Sequence, residues 1–114
     1  MSDDDTDVLL NQERGIAVIA LNRPAQRNCL SLSVLRLLGQ HLDTIGKDDS
    51  VKVVILEATG PAFCSGHDLK ELTAAREAQD GGRAFYKETM DLCSSVMQQI
   101  VRCPKPVIAS VQGI

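Results

Sequence analysis

Aromatic residues are scarce in this sequence: tryptophan is absent, and phenylalanine and tyrosine together account for 3% of the 114 residues. The core must therefore be built from aliphatic side chains and methionine, within a hydrophobic content of 44% that suits a globular domain. Basic residues form no stripe and the net charge is −3, so nucleic acid is not expected as a partner. No apolar run approaches the roughly 18 residues of a membrane span, so no membrane partner is expected either.

Metal ligands and basic targeting signals are also lacking. The chain has two histidines and four widely spaced cysteines without a Cys-x-x-Cys pair, which predicts no metal site. Reduced thiols in a cytosolic protein are the simpler interpretation. The N-terminus, MSDDDTDVLL, is acidic where a secretory signal or a mitochondrial presequence would be basic, which predicts a cytoplasmic location. We expect residues 1–6 to form a disordered acidic leader and residues 7–114 to form the domain.

The first half of the domain has the pattern of a hairpin followed by a helix. Residues 8–10 and 16–21 are β-prone runs, and residues 11–15, ending in a glycine, are the predicted hairpin connection. Ser31 is a good N-cap for a helix over residues 32–45, with Gly46 at the position after its end. Spacings of three and four define the apolar stripe of this helix: Val34, Leu35, Leu38, Leu42 and Ile45.

The second half predicts two more strands and a long helix. Residues 51–56 are nearly continuous in apolar β-formers, which is typical of a strand covered on both faces. Residues 71–82 have weak helical character, residues 83–102 form a strong helix, and residues 107–111 form another buried-type strand. The stripe of the long helix is Tyr86, Met90, Cys93, Val96, Met97, Ile100 and Val101. This order predicts an α/β domain with parallel strands and helical crossovers.

The last predicted strand lacks cover. A strand of that kind requires a layer on each face, and only two substantial helices are available. We therefore expect residues 7–114 to be a partial domain, truncated after a buried-type strand.

The segment GPAFCSGHDLKEL, residues 60–72, contains Cys64, His67 and Asp68 within five positions. One hypothesis is thiol catalysis by Cys64 and His67, although three positions in a glycine-rich turn do not preset a hydrogen bond between them. The alternatives are a small buried Cys64 that packs behind Phe63 and a solvent-facing loop histidine. A metal at His67 and Asp68 would lack a third ligand.

A second hypothesis assigns the chemistry to the backbone of the same segment. Gly60 and Gly66 permit conformations that are closed to other residues, so the main chain can turn sharply and approach a ligand. Amides at a strand-to-helix junction are unpaired and carry partial positive charge. Such amides suit an acyl oxygen that gains negative charge in a transition state. An ordinary strand-to-helix turn is the alternative.

Three motifs in this order resemble the crotonase, or enoyl-CoA hydratase/isomerase, superfamily. Residues 60–69, GPAFCSGHDL, resemble the G-x-A-F-(small)-(A/S)-G-x-D-(L/I) segment of that superfamily. Residues 21–30, LNRPAQRNCL, resemble L-N-R-P-x-x-x-N-A-L, with Cys29 in the alanine place. Residues 105–113, KPVIASVQG, resemble K-P-V-I-A-x-V-N-G, with Gln112 in the asparagine place. The segment SGHDLKEL is similar to that of enoyl-CoA hydratase domain-containing proteins.

The resemblance implies a fold and a set of site residues. The fold is the N-terminal half of a crotonase-like (ClpP/crotonase) ββα-superhelix. The backbone amide of His67 would be one of two oxyanion-hole donors that hold the thioester oxygen of an acyl-CoA as an enolate develops. Arg27 would contact CoA phosphates, and the other CoA-binding positions implied are Ser65, Gly66, His67, Asp68, Leu69 and Lys70.

The resemblance also implies what the rest of the enzyme supplies. The second oxyanion amide and the acid/base residues would lie beyond Ile114, so residues 1–114 are expected to be inactive alone. No cofactor is expected, because coenzyme A is part of the substrate, and the complete protein would be a trimer or hexamer. Hydration and double-bond isomerisation are the reactions expected. The alternative is a non-catalytic CoA-binding or interaction module of the same fold.

Overall fold

The structure, a computed structural model, describes residues 5–113. In that part of the chain, four strands form one sheet in the order β1-β2-β3-β4. The first two strands are antiparallel, and the second, third and fourth are parallel. The elements are β1 (Val8–Glu13), β2 (Ile16–Leu21), α1 (Leu32–Gly46), β3 (Val53–Ala58), α2 (Leu69–Ala74), α3 (Arg83–Arg102) and β4 (Val107–Ala109). The predicted α/β class with parallel strands is confirmed.

The hairpin between β1 and β2 is tighter than predicted. β1 continues to Glu13, opposite Ile16, so the connection is only Arg14 and Gly15 rather than residues 11–15. Both residues have positive φ, 53° and 83°, which is the backbone that matches the right-handed twist of two paired strands. The prediction missed the longer strand because Arg14 gives no sign in the sequence that it adopts this conformation.

Helix α1 begins as predicted and ends differently. The side chain of Ser31 accepts a hydrogen bond from the Val34 amide (3.2 Å), which confirms the N-cap. Gly46, however, is the last helical residue, and Lys47 follows in a right-handed conformation. No left-handed glycine is needed there, because the Lys105 ammonium donates to the carbonyl oxygens of Ile45 (3.1 Å) and Asp48 (2.6 Å).

The parallel strands are shifted from their predicted bounds. β3 starts at Val53 rather than residue 51, since its pairing with β2 begins opposite Ile16, and it continues to Ala58 opposite Leu21. β4 is limited to Val107–Ala109 rather than residues 107–111. The Ser110 amide still donates to the Leu56 carbonyl (2.8 Å), and the chain then leaves the sheet.

One face of the sheet carries the core. Alternate side chains of the strands, including Ile19 and Val54, are fully buried against α1, whose Leu35 and Ile45 are also fully buried. The opposite face is open among residues 5–113, with Ile16 40% and Ile108 53% exposed. The prediction that β3 is covered on both faces is therefore wrong for the described chain, because both long helices occupy one side.

Helix α3 has its predicted length, and its buried side matches the predicted stripe only in part. Thr89 and Val96 are its buried residues, and Val101 from the predicted stripe is 84% exposed. The helix packs on α1 at Gly39, whose carbonyl accepts a hydrogen bond from the Gln99 side chain (3.1 Å). The apolar pattern placed Val96 correctly and could not indicate the burial of the polar Thr89.

The remaining predictions concern short segments. Within residues 71–82, the weak helical character corresponds to the end of α2 and a single 3-10 turn over Ala75–Glu77. Asp5–Asp7 also form a 3-10 turn, whereas residues 1–4 of the predicted leader lie outside the described residues.

Candidate active site

Three connections meet at one edge of the sheet, where β2, β3 and β4 end. Parallel strands bring their carboxyl ends to the same edge, which is where ligands bind in open α/β sheets. The connections are residues 22–30, 59–68 and 110–113. Backbone hydrogen bonds join them: the Phe63 amide donates to the Gly113 carbonyl (3.0 Å), and the Ser65 amide donates to the Arg27 carbonyl (3.1 Å). The loop after β3 is therefore tied to both neighbours.

The backbone at His67 forms an isolated parallel bridge with Leu30. The Leu30 amide donates to the Gly66 carbonyl (2.7 Å), and the Asp68 amide donates to the Leu30 carbonyl (3.0 Å). In a parallel pair of this kind, the N–H and C=O of the central residue point away from the partner strand. Among residues 5–113, the His67 N–H has no hydrogen-bond acceptor within range. A fixed peptide with a free donor results.

Two glycines give this loop its shape for different reasons. Gly60 has φ +80°, and a Cβ atom there would lie 2.6 Å from Cβ of Pro24, so the two loops approach too closely for a side chain. Gly66 has φ +104° but no atom within 4 Å of such a Cβ. Glycine at 66 therefore serves the backbone conformation alone, immediately before the free amide.

Asp68 has a structural role at the start of α2. Its side chain accepts a hydrogen bond from the Glu71 amide (3.1 Å), so Asp68 is the N-cap of this helix. The other carboxylate oxygen lies 3.8 Å from the Arg23 guanidinium, which also lies 3.8 Å from Asp7. Glu71 in turn accepts a hydrogen bond from the first amide of α1, that of Leu32 (2.9 Å). These contacts connect α2 to the loop after β2.

A concavity of about 580 Å³ lies over this edge, between the loop after β2 and the start of α2. Its lining includes most of the predicted site residues: Arg27, Ser65, His67, Asp68, Leu69 and Lys70. Gly66 is not among the lining residues. The lining also includes Arg23 and Cys29, which sequence reasoning did not assign to the site. The N-R-P motif was the signal that could have indicated Arg23.

The sequence of the chain matches one family of known proteins. Residues 11–114 match the sequence model of one family, described as enoyl-CoA hydratase/isomerase. The chain belongs to the enoyl-CoA hydratase/isomerase family. The crotonase-superfamily resemblance and the N-terminal position of the chain within that fold are thereby confirmed.

Individual members of the enoyl-CoA hydratase/isomerase family agree with this assignment. The rat protein called enoyl-CoA hydratase domain-containing protein 3, mitochondrial, is 42% identical over 103 residues, which cover 90% of this chain and 33% of the relative. An enoyl-CoA hydratase structure from Mycobacterium smegmatis is 43% identical with a TM-score of 0.83, covering 92% of this chain and 39% of the other. The human domain-containing protein 3 structure is 40% identical with a TM-score of 0.84, covering 94% and 40%. The chain thus spans about a third of the length of the curated relative.

The rat relative bears on location only through its name, which contains the word mitochondrial. That name does not support the cytoplasmic location predicted from the acidic N-terminus, which stays a prediction. In the described part of the chain, no helix combines the length and the hydrophobicity that crossing a membrane requires. Residues 5–113 also contain no group of three or more potential metal-binding side chains.

The surroundings of two cysteines, Cys64 and Cys29, bear on the thiol hypothesis. Cys64 is half-buried against the core cluster, and within residues 5–113 the buried Nδ1 atom of His67 has no hydrogen-bond partner. His67 Nδ1 therefore makes no hydrogen bond to the Cys64 thiol. Burial raises the pKa of the Cys29 thiol, and the Asp68 carboxylate raises it further, so this lining cysteine stays protonated.

Replacement of Cys64 by alanine tests the packing interpretation. We expect Cys64→Ala in the full-length protein to retain most of its turnover and to lose about 1 kcal/mol of unfolding free energy through a small cavity. Steady-state kinetics and urea unfolding measure the two effects. A ten-thousandfold loss of kcat in a folded variant would instead restore the thiol mechanism.

Proposed function

We propose that this chain forms the acyl-CoA-binding part of an enzyme that hydrates or isomerises an enoyl-CoA, with the His67 amide as one oxyanion-hole donor. The observation that carries this proposal is the free His67 N–H in a peptide fixed by Leu30, beside a concavity lined by Arg27 and Lys70. Family membership supports the reaction class.

In this mechanism the His67 N–H donates a hydrogen bond to the thioester oxygen of the substrate. The bond strengthens as that oxygen gains negative charge in the enolate, so it lowers the barrier more than it favours substrate binding. The donor needs no reorganisation, because the amides of Leu30 and Asp68 already fix the peptides on either side of His67. In comparable enzymes, one such donor lowers the activation free energy by about 2.7–4 kcal/mol.

The CoA part of the substrate would bind along the same loop. Arg27 is exposed, and its carbonyl is held by the Ser65 amide (3.1 Å), so its guanidinium extends from an anchored backbone. Guanidinium groups suit phosphate oxygens because they donate two parallel hydrogen bonds. Lys70 is a second exposed cation on the lining. Backbone groups of Ser65, Gly66 and Leu69 complete the proposed CoA contacts.

The proposal also covers the groups that complete the reaction and the assembly of the complete protein. The second oxyanion donor and the proton-transfer residues are assigned to later parts of the family's domain. No cofactor is required besides the CoA that the substrate carries. The complete protein is proposed to be a trimer or hexamer, which light scattering on the full-length protein tests directly.

Charge removal tests the proposed CoA site. We expect Arg27→Gln and Lys70→Gln in the full-length protein each to raise the Kd for butyryl-CoA, a non-reacting saturated thioester, about three- to tenfold. The control is Arg102→Gln, which removes the same charge at the end of α3 and should leave Kd unchanged. Isothermal titration calorimetry measures all three. Binding that is insensitive to both lining substitutions, or absent from the parent protein, would contradict the proposal.

A further inference from the structure

The mechanism does not use the buried side chain of Asn28, although it is among the most connected groups near the site. Asn28 is 1% exposed and adopts a left-handed conformation with φ 54°. Its carboxamide oxygen accepts from the Arg23 amide (2.6 Å), and its nitrogen donates to the carbonyls of Thr59 (2.8 Å) and Ala62 (2.9 Å). All three partners are backbone groups.

These contacts hold the first half of the loop after β3 to the segment that holds its second half. The Asn28 carboxamide binds the loop at residues 59 and 62. Residues 27 and 30 bind the same loop through backbone hydrogen bonds at residues 65, 66 and 68. The His67 peptide therefore lies in a loop whose two arms are attached to one four-residue stretch.

A second carboxamide binds the loop from the connection after β4. The Gln112 side chain donates to the carbonyls of Ala58 (2.8 Å) and Gly60 (3.0 Å). The two carboxamides thus alternate along the chain, with Gln112 on residues 58 and 60 and Asn28 on residues 59 and 62. Asn28 is buried and Gln112 is exposed, so the hydrogen bonds of Asn28 are expected to contribute more to the stability of the fold.

We infer that Asn28 and Gln112 are positioning residues that set the direction of the His67 N–H. Each holds carbonyls at the end of β3 or in the first arm of the loop, and residues 27 and 30 hold the second arm, so loss of either carboxamide frees one end of the loop that carries the His67 peptide. This inference rests on the proposed function of the His67 amide. It goes further, because it adds two side chains that do not line the concavity to the backbone bonds that orient that amide.

Kinetics of the full-length protein with crotonyl-CoA separate positioning from general stabilisation. The first variant is Asn28→Gly, because glycine adopts the left-handed backbone of residue 28 without strain. The second is Gln112→Ala, which leaves no buried cavity because Gln112 is exposed. The control is Asn22→Ala. Asn22 also bonds across this edge, to the Thr6 carbonyl and the Thr59 hydroxyl, but its side chain bonds to none of the four carbonyls that Asn28 and Gln112 hold.

We expect kcat to fall about 10- to 100-fold in Asn28→Gly and about 3- to 10-fold in Gln112→Ala, with KM changed less than about threefold, as for loss or misalignment of part of an oxyanion donor. Asn22→Ala should lower the melting temperature with kcat unchanged. Hydrogen exchange should show faster exchange of the amides in residues 59–68 in the first two variants only.

The outcomes distinguish this inference from the proposed function. If His67→Pro lowers kcat while Gln112→Ala and every folded Asn28 variant keep it, the positioning inference is wrong and the oxyanion role survives. If His67→Pro also leaves kcat unchanged, the proposed function fails, and the inference fails with it. Loss of kcat in Asn22→Ala equal to that in Gln112→Ala would reduce the two side chains to ordinary stabilising contacts.

Discussion

His67→Pro in the full-length protein is expected to lower kcat about 10²–10³-fold, whereas His67→Ala should lower it far less. Proline removes the amide hydrogen, and alanine removes the imidazole but keeps the amide. The structure makes this comparison clean, because the bridge between Leu30 and His67 uses the amide of Asp68 and the carbonyl of Gly66 rather than the N–H of His67. Proline therefore deletes no hydrogen bond seen within residues 5–113.

The control for this comparison is the fold of both variants. Circular dichroism and the melting temperature must match the parent protein before the kinetic constants are compared. Equal, severe losses of kcat in the two folded variants would show that the imidazole is the group that matters. In that case the candidate group is the buried Nδ1 atom of the imidazole, which has no hydrogen-bond partner among the described residues.

Gly60→Ala is expected to lower the unfolding free energy by about 2–5 kcal/mol. Positive φ costs a non-glycine residue roughly 1–2 kcal/mol, and overpacking against Pro24 adds about 1–3 kcal/mol. The clash arises because the new Cβ would lie 2.6 Å from the proline Cβ, which belongs to a rigid ring. Urea unfolding of the two proteins measures the loss.

A double-mutant cycle separates the two causes of this loss. Pro24→Gly removes the atom that the alanine would meet, so the pair Gly60→Ala and Pro24→Gly should show about 1–3 kcal/mol of favourable coupling. The remaining loss is the backbone term. Strict additivity of the two substitutions would show that the loops do not approach each other as closely as the structure indicates.

Local patterns predicted the helices well and their buried faces less well. The apolar stripe and the Ser31 cap determine α1, and the proline after Arg102 limits α3. The buried side of α3 was only partly predictable, since the polar Thr89 is buried there while the apolar Met90 and Met97 are exposed. Likewise, no local signal shows that Arg14 turns the hairpin or that Lys105 satisfies the end of α1.

Only those residues of the candidate site that belong to sequence motifs were predictable. The glycine-bracketed loop and its resemblance to known enzymes indicated His67 and Lys70, and the resemblance of residues 21–30 indicated Arg27. The contacts that hold the loop were not indicated, because they join side chains and backbone groups more than 30 positions apart, as Asn28 does with Thr59 and Ala62. Burial of a polar side chain at such a position is a tertiary property, and no periodicity in the sequence encodes it.

A crystal structure of the full-length protein with butyryl-CoA tests the central claim most directly. The distance to measure is the one between the His67 backbone nitrogen and the thioester oxygen. We predict a separation of about 2.7–3.1 Å, with the N–H aimed at that oxygen. An ordered thioester whose oxygen instead contacts the imidazole or the Cys64 thiol, with the His67 amide left without a partner, would contradict the account.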